Sequence, residues 1–432
     1  MAGNIGRRWR VLSGEGEWQG LLDPLDSDLR RYIIHYGERV QAVVDSFIEE
    51  SKSDNYGLSR YPKSNLFTKV GLESGNNPFK YEVKKYFYAS AAFIGDTCPP
   101  ANELPVSPNA VAGNSKWLGF VAVTSDEGKE VLGRRDILVS FRGTMPVIEN
   151  CVDLKIGLVS ASQIIGNDNN PKILAAVREL VDQYKDEEVS ITFTGHSMGA
   201  AVATLAATDV TYNSYNKPTG RPDKAFPVTA IVFASPHLGN NGFKATFSNL
   251  NNLHVLRLRN KRDPVPDLPV PIPIVLDYVH VGQELVIDTL LSPYLKEAER
   301  TVHELEVYLH GVAGTQGSSG GFRLEVERDI KLVNKRLDGL KDEYVVTSMW
   351  WVEKNKGMIQ LDDGSWVLMD REMDNSQHLR PLISDLASLS SSTQHLRPSA
   401  EHTTCSPSGD RTLAELRQGS PDVMHEAIFR IL

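Results

Sequence analysis

Apolar residues recur along the chain in two alternating periods. Between Leu25 and Ser51, Leu29, Ile33, Tyr36, Val40, Val43, Val44 and Phe47 fall at helical spacing, and Asp26-Ser27 ahead of them predict an N-cap. Strand-like runs follow at Trp117–Val123, Ile137–Phe141, Val189–Thr194, Thr229–Ala234 and His254–Leu258. Helical patterns lie between several of them, notably at Pro171–Tyr184 and Met198–Asp209. Strands alternating with helices predict an α/β fold, a mostly parallel sheet flanked by helices.

Beyond these runs the pattern loosens. Gly311–Phe322 is rich in Gly and Ser and reads as a flexible connection. An amphipathic helix is expected over roughly Glu325–Asp342, with Ile330, Val333, Leu337 and Leu340 on one face. A hairpin-like segment is expected over Met349–Asp370, turning at Asp363-Gly364. Residues 375–432 contain ten serines, no Trp or Tyr, and the repeat QHLRP at 377–381 and 394–398. That composition cannot build a core, so the reading is a domain over 1–374 followed by a disordered tail, with a short terminal helix at Asp422–Leu432.

Composition narrows the class. The 432 residues are 41% hydrophobic and 23% charged, enough for one large α/β domain with extensions. A net charge of −9 gives no footing for nucleic acid, and no basic block suggests a membrane anchor. Cys98, Cys151 and Cys405 are scattered and odd in number, which argues against a disulfide framework and fits a reducing compartment. Their spacing suggests no metal site. The N-terminal stretch lacks the apolar region of a secretory signal, and nothing approaches the roughly 20 apolar residues of a membrane span. The expectation is a cytoplasmic protein that meets membranes from outside.

Chemistry concentrates in VSITFTGHSMGAAVATLAA, residues 189–207. A β-rich run leads into Gly195-His196-Ser197-Met198-Gly199, and a small-residue helix leaves it. Strand, tight turn and helix around G-x-S-x-G are the context of a nucleophile elbow. There a serine is held in a strained conformation, and the residues two away on either side must lack bulk. Ser197 is the candidate nucleophile.

A serine hydroxyl needs a base, and the base needs an orienting acid. Asp263 lies in the loop Arg259–Asp267 that leaves the strand-like run His254–Leu258, stiffened by Pro264 and Pro266, and is the chosen acid; Asp267 is the alternative. Among the histidines beyond it, His303 at the start of a short helix capped by Gly311 is the chosen base, ahead of His310 and His280. Oxyanion donors are expected from the Met198 N–H and from Thr144, in the turn after Leu138–Phe141.

With these residues placed, the chain resembles the class 3 lipases and, more narrowly, the plant class II phospholipases A1. The likeness covers about residues 15–370. It is carried by Trp18 with LLDPLDSDLRRYIIHYGE (21–38), SFRGT (140–144), GHSMGA (195–200), ASPHLGN (234–240), DPVPD (263–267), SPYLK (292–296), HELEVYLHG (303–311) and WWVEKNKGM (350–358). The resemblance implies an α/β-hydrolase fold, a Ser197–Asp263–His303 triad and hydrolysis of the sn-1 acyl ester of phospholipids or related glycerolipids at a membrane surface, without metal or other cofactor. It also places a lid between Met145 and about Asn170. Met198 departs from the usual leucine, and the tail after Asp374 lies outside the likeness. A carboxylesterase or triacylglycerol lipase would use the same triad. A non-catalytic α/β-hydrolase acting as a lipid or hormone receptor would have no need to keep all three residues.

Overall fold

The computed structural model describes residues 4–49, 53–73, 77–90, 115–143, 157–159, 171–269, 278–297, 301–346, 358–360, 366–368 and 428–430. Its centre is a seven-stranded sheet of consecutive neighbours: β1 (Tyr81–Ser90), β2 (Ser115–Thr124), β3 (Arg135–Phe141), β4 (Val189–His196), β5 (Val228–Phe233), β6 (Leu253–Asn260) and β7 (Gln283–Ile287). The pairs β1–β2 and β2–β3 are antiparallel, and the four pairs from β3 to β7 are parallel. Register pairs Phe141 with Gly195 and His196 with Phe233, so three strands end together where the G-x-S-x-G turn begins.

Each face of the sheet carries its own apolar core. On one lie α1 (Ile5–Leu12), α2 (Ser27–Ser46) and, further along the chain, α7 (Leu305–Gly314), with Ile33, Tyr36, Val40, Tyr308 and Leu309 fully buried. On the other, α4 (Pro171–Gln183) and α5 (Met198–Tyr212) cover Val189, Ile191 and Phe193. Between these groups in sequence come α3 (Asp126–Leu132) and, after α5, α6 (Asn241–Ser248). Helix α2 starts where the sequence says it should: the Asp26 carboxylate accepts from the Asp28 and Leu29 N–H groups and is also gripped by Arg8. It stops at Ser46, short of Ser51, because Phe47 turns extended and bridges to Ser59.

Four expectations need correction. The Gly- and Ser-rich stretch is not a connection from Gly311 onward, because α7 runs to Gly314 and is capped by Thr315. Its glycines serve packing: a Cβ on Gly311 would lie 2.7 Å from Ile287, and one on Gly314 would lie 2.1 Å from the Phe322 ring. No helix spans 325–342. A short 3-10 turn, Ile330–Lys335, is interrupted by the non-helical Asn334, whose side chain accepts from the Gly339 and Leu340 N–H groups. Buried ion pairs from Arg328 and Lys335 to Glu306 and from Lys335 to Asp45 hold the segment, and these outweigh its helical periodicity. At the far end, Ile428–Arg430 is a strand paired antiparallel with Gly157–Val159, not part of a helix; its β-branched and aromatic residues suit that pairing. The last correction is by addition, since the helical and strand readings above omitted α1, α3, α6, β1 and β7.

Met358–Gln360 and Trp366–Leu368 pair antiparallel. The tail from 375 to 427 and nearly all of the proposed lid lie outside the described residues.

Candidate active site

Strand β4 ends at His196 and α5 begins at Met198, leaving Ser197 alone at the turn with φ 58° and ψ −128°. A positive φ is costly for a residue with a side chain, and such strain persists only where the surroundings enforce it. The enforcement is visible in the two glycines. A Cβ on Gly195 would lie 2.2 Å from the Gly199 carbonyl oxygen, and one on Gly199 would lie 2.3 Å from the Arg142 carbonyl oxygen. Backbone therefore packs on backbone around the serine, which stays partly exposed above the sheet edge. Its N–H is tied to the Phe233 carbonyl at 2.9 Å.

The loop after β6 brings in the candidate acid. Asp263 is 1% exposed, and its Oδ1 accepts the Val265 N–H at 3.0 Å. Its Oδ2 accepts the His303 Nδ1 proton at 2.7 Å and the Tyr308 hydroxyl at 2.6 Å. With Nδ1 so engaged, Nε2 is the His303 nitrogen left for proton transfer. Burial, followed by the nearby Asp263 charge, pushes the Tyr308 phenol well above its usual range, so it remains a donor. The alternative acid, Asp267, sits at the surface in an ion pair with Arg259 at 2.7 Å.

Among the described residues, the other two candidate histidines are occupied elsewhere. His310 meets the Ser292 hydroxyl at 2.8 Å and stacks on Phe322, and burial drives its pKa down to about 3. His280 donates to the Pro266 carbonyl at 2.9 Å and stacks on His237 with centroids 4.0 Å apart. His303 instead stands beside the elbow: its ring centroid is 4.6 Å from that of His196, the residue immediately before Ser197.

Of the two expected oxyanion donors, Met198 opens α5, so its N–H sits at the positive end of the helix dipole next to Ser197. Thr144 lies outside the described residues, but the turn leading to it abuts the serine. A Cβ on Gly143 would lie 3.0 Å from the Ser197 Cβ. Arg142, fully buried, clamps this turn by donating to the Trp117 carbonyl at 2.7 Å and the Gly143 carbonyl at 2.8 Å. Sequence reasoning missed Arg142, His196 and Tyr308. The signal for Tyr308 was present, since it lies one helical turn inside the helix that His303 precedes.

Among the described residues no group of three or more His, Cys, Asp and Glu side chains could hold a metal ion. Nor is any described helix long and apolar enough to cross a membrane.

A mostly parallel sheet, a strained serine where a strand turns into a helix, and a buried Asp–His pair beside that turn define an α/β-hydrolase. Residues 167–272 match the family model Lipase (class 3). Phospholipase A1-IIgamma of Arabidopsis thaliana is 47% identical over 406 residues, 86% of this chain and 95% of that protein. Phospholipase A1-II 1 of Oryza sativa subsp. indica is 44% identical over 404 residues, again 86% of this chain and 98% of that protein. Lip2 lipase from Yarrowia lipolytica aligns at 16% identity and a TM-score of 0.39, over 64% of this chain and 84% of that one. The chain belongs to the plant phospholipase A1-II family of class 3 lipases, and is a carboxylic ester hydrolase.

Proposed function

We propose that this enzyme releases the sn-1 acyl chain of phospholipids, or of closely related polar glycerolipids, through an acyl-enzyme on Ser197. The observation that carries the chemistry is the 2.7 Å bond from His303 Nδ1 to the buried Asp263 carboxylate, made by a histidine that stands beside the Ser197 elbow. The phospholipid preference rests on the 47% identity to phospholipase A1-IIgamma.

In this reading the Ser197 oxygen attacks the ester carbonyl as His303 Nε2 takes the hydroxyl proton. Asp263 holds the ring in the right tautomer and offsets the charge it gains. The Met198 N–H and Thr144 stabilise the tetrahedral oxyanion, each donor contributing about 2.7–4 kcal/mol to the transition state. Collapse breaks the ester C–O bond, and His303 returns the proton to the departing lysophospholipid alkoxide. Water, deprotonated by His303, then attacks the acyl-enzyme, and the fatty acid leaves with Ser197 restored.

Incubation with phosphatidylcholine carrying different chains at sn-1 and sn-2, beside galactolipid, monoacylglycerol and triacylglycerol, tests the substrate class. The expected result is sn-1 release from phospholipid in excess of triacylglycerol hydrolysis. Faster cleavage of triacylglycerol would favour the lipase alternative. We further infer a cytoplasmic site of action, supported by the scattered, odd cysteines. Fractionation of a tagged full-length chain tests it. The catalytic unit is read as 1–374; truncation after Asp374 removes only the three-residue pairing of Ile428–Arg430 with Gly157–Val159 among the described contacts, and is expected to leave activity and thermal midpoint nearly unchanged.

A further inference from the structure

Side chains of β4 alternate between the two faces of the sheet. Val189, Ile191 and Phe193 enter the core under α4 and α5, whereas Ser190 and Thr192 turn the other way and donate to Asp136 at 2.6 and 2.8 Å. His196 continues this second row, on the side where α7 lies. Its Nε2 is 2.7 Å from the backbone carbonyl oxygen of His303. A carbonyl only accepts, so Nε2 carries the proton and the tautomer is fixed. The ring is 9% exposed, lies 4.6 Å from the His303 ring and meets the Tyr308 ring edge-on at 6.2 Å.

We propose that His196 is the positioning residue that sets the separation of nucleophile and base, by tying the backbone of His303 to the peptide that carries Ser197. The inference rests on the triad reading given above. Asp263 then fixes the His303 ring, His196 holds its carbonyl, and Asn260 holds the preceding Val302 carbonyl at 2.9 Å. The Ser197 side is equally fixed, through its N–H on the Phe233 carbonyl. Without the His196 bond the imidazole keeps its acid, and the main chain at His303 keeps the Asn260 tie to the Val302 carbonyl, so the ring gains room to shift about the Asp263 contact. Misplacement of a reacting group by about 1 Å can cost on the order of 10²-fold in rate.

The environment of His196 suits this task. Burial, and then the neighbouring His303, hold its imidazolium far below the usual histidine range. His196 therefore stays neutral when His303 gains a proton during turnover, and no second cation opposes that step.

Two variants separate positioning from packing. His196→Phe keeps a ring of similar size and loses the donor, and His196→Gln keeps an N–H donor and loses the ring. Both are compared with wild type and Ser197→Ala for kcat, KM, fluorophosphonate labelling rate and thermal midpoint. The expected result for His196→Phe is a kcat lower by roughly 10- to 100-fold, with KM nearly unchanged, labelling slowed in parallel and a near-native midpoint. His196→Gln is expected to recover a substantial part of that loss. Unchanged kcat in His196→Phe, an effect confined to KM, or no recovery in His196→Gln overturns the proposal. So does loss of cooperative unfolding in both variants, which would make the ring a packing element. Activity surviving in Ser197→Ala would instead defeat the triad itself, whatever His196 does.

Discussion

Tyr308 donates its hydroxyl to Asp263 Oδ2 across 2.6 Å, on the same oxygen that receives the His303 proton at 2.7 Å. A buried carboxylate is costly unless its lone pairs are satisfied. Here the two side chains and the Val265 N–H satisfy the oxygens of Asp263 where water does not reach.

Tyr308→Phe removes one of these donors and keeps the ring. Hydrogen bonds to charged groups contribute about 1.5–3 kcal/mol. The variant should therefore have a lower thermal midpoint, and kcat should fall by roughly tenfold as the carboxylate loses its fixed orientation. Kinetics and calorimetry together check this; if neither changes, the bond does not support Asp263.

His310 predicts a pH effect without a catalytic one. Burial, then the Arg328 charge, lowers its pKa to about 3, whereas an unfolded histidine titrates near 6.5. Between those values the unfolded chain binds a proton that the folded chain refuses, so folding stability falls as pH drops from about 6.5 toward 3. His310→Gln should retain most activity. It should also show a shallower loss of thermal midpoint over that window than wild type. Loss of turnover comparable to that of His303→Ala would move the base to His310.

Gly199 and Gly220 make a controlled pair. A Cβ on Gly199 meets the Arg142 carbonyl oxygen at 2.3 Å, whereas one on Gly220, at φ 76°, meets nothing within 4 Å. Gly199→Ala must push the helix start from the β3 turn, at about 1–3 kcal/mol, and should reduce activity by roughly 10²-fold. Gly220→Ala should cost only about 1–2 kcal/mol of backbone strain and leave kcat intact. Equal activities in the two variants would show that the elbow tolerates displacement.

The fold was legible where local signals agreed. Asp26 followed by helical spacing gave α2, and alternation into two glycines gave β4 and the elbow. Strand β1 was hidden because register shifts at Val83/Lys85 and Phe87/Tyr88 break its alternation. Edge strand β7 opens on Gln283 and Glu284, so its apolar run is too short to read. Helix α1 buries only Ile5, Trp9 and Leu12 among glycine and arginines. In the candidate site, Ser197, Asp263 and His303 were readable as chemistry in sequence. Their supports were not, because Tyr308 reads as an apolar helix position and His196 as the variable residue of a motif. What assigns them is a contact between segments far apart in sequence.

Residues that act as a unit lose activity non-additively. Ser197→Ala and His303→Ala should each lower kcat by several orders of magnitude, and the double variant should be little worse than either. Initial-rate assays on the three proteins check it. Losses that multiply would mean that the two residues do not share a step.

The most direct test of the account is the position of the acid released from mixed-chain phosphatidylcholine by wild type and by Ser197→Ala, with and without chelator. The account predicts sn-1 acid from wild type at a rate that chelator does not change, and none above background from a folded Ser197→Ala. Predominant sn-2 release, activity lost to chelator, or turnover by Ser197→Ala within about tenfold of wild type, against the roughly 10⁶-fold loss usual for a serine nucleophile, would contradict it.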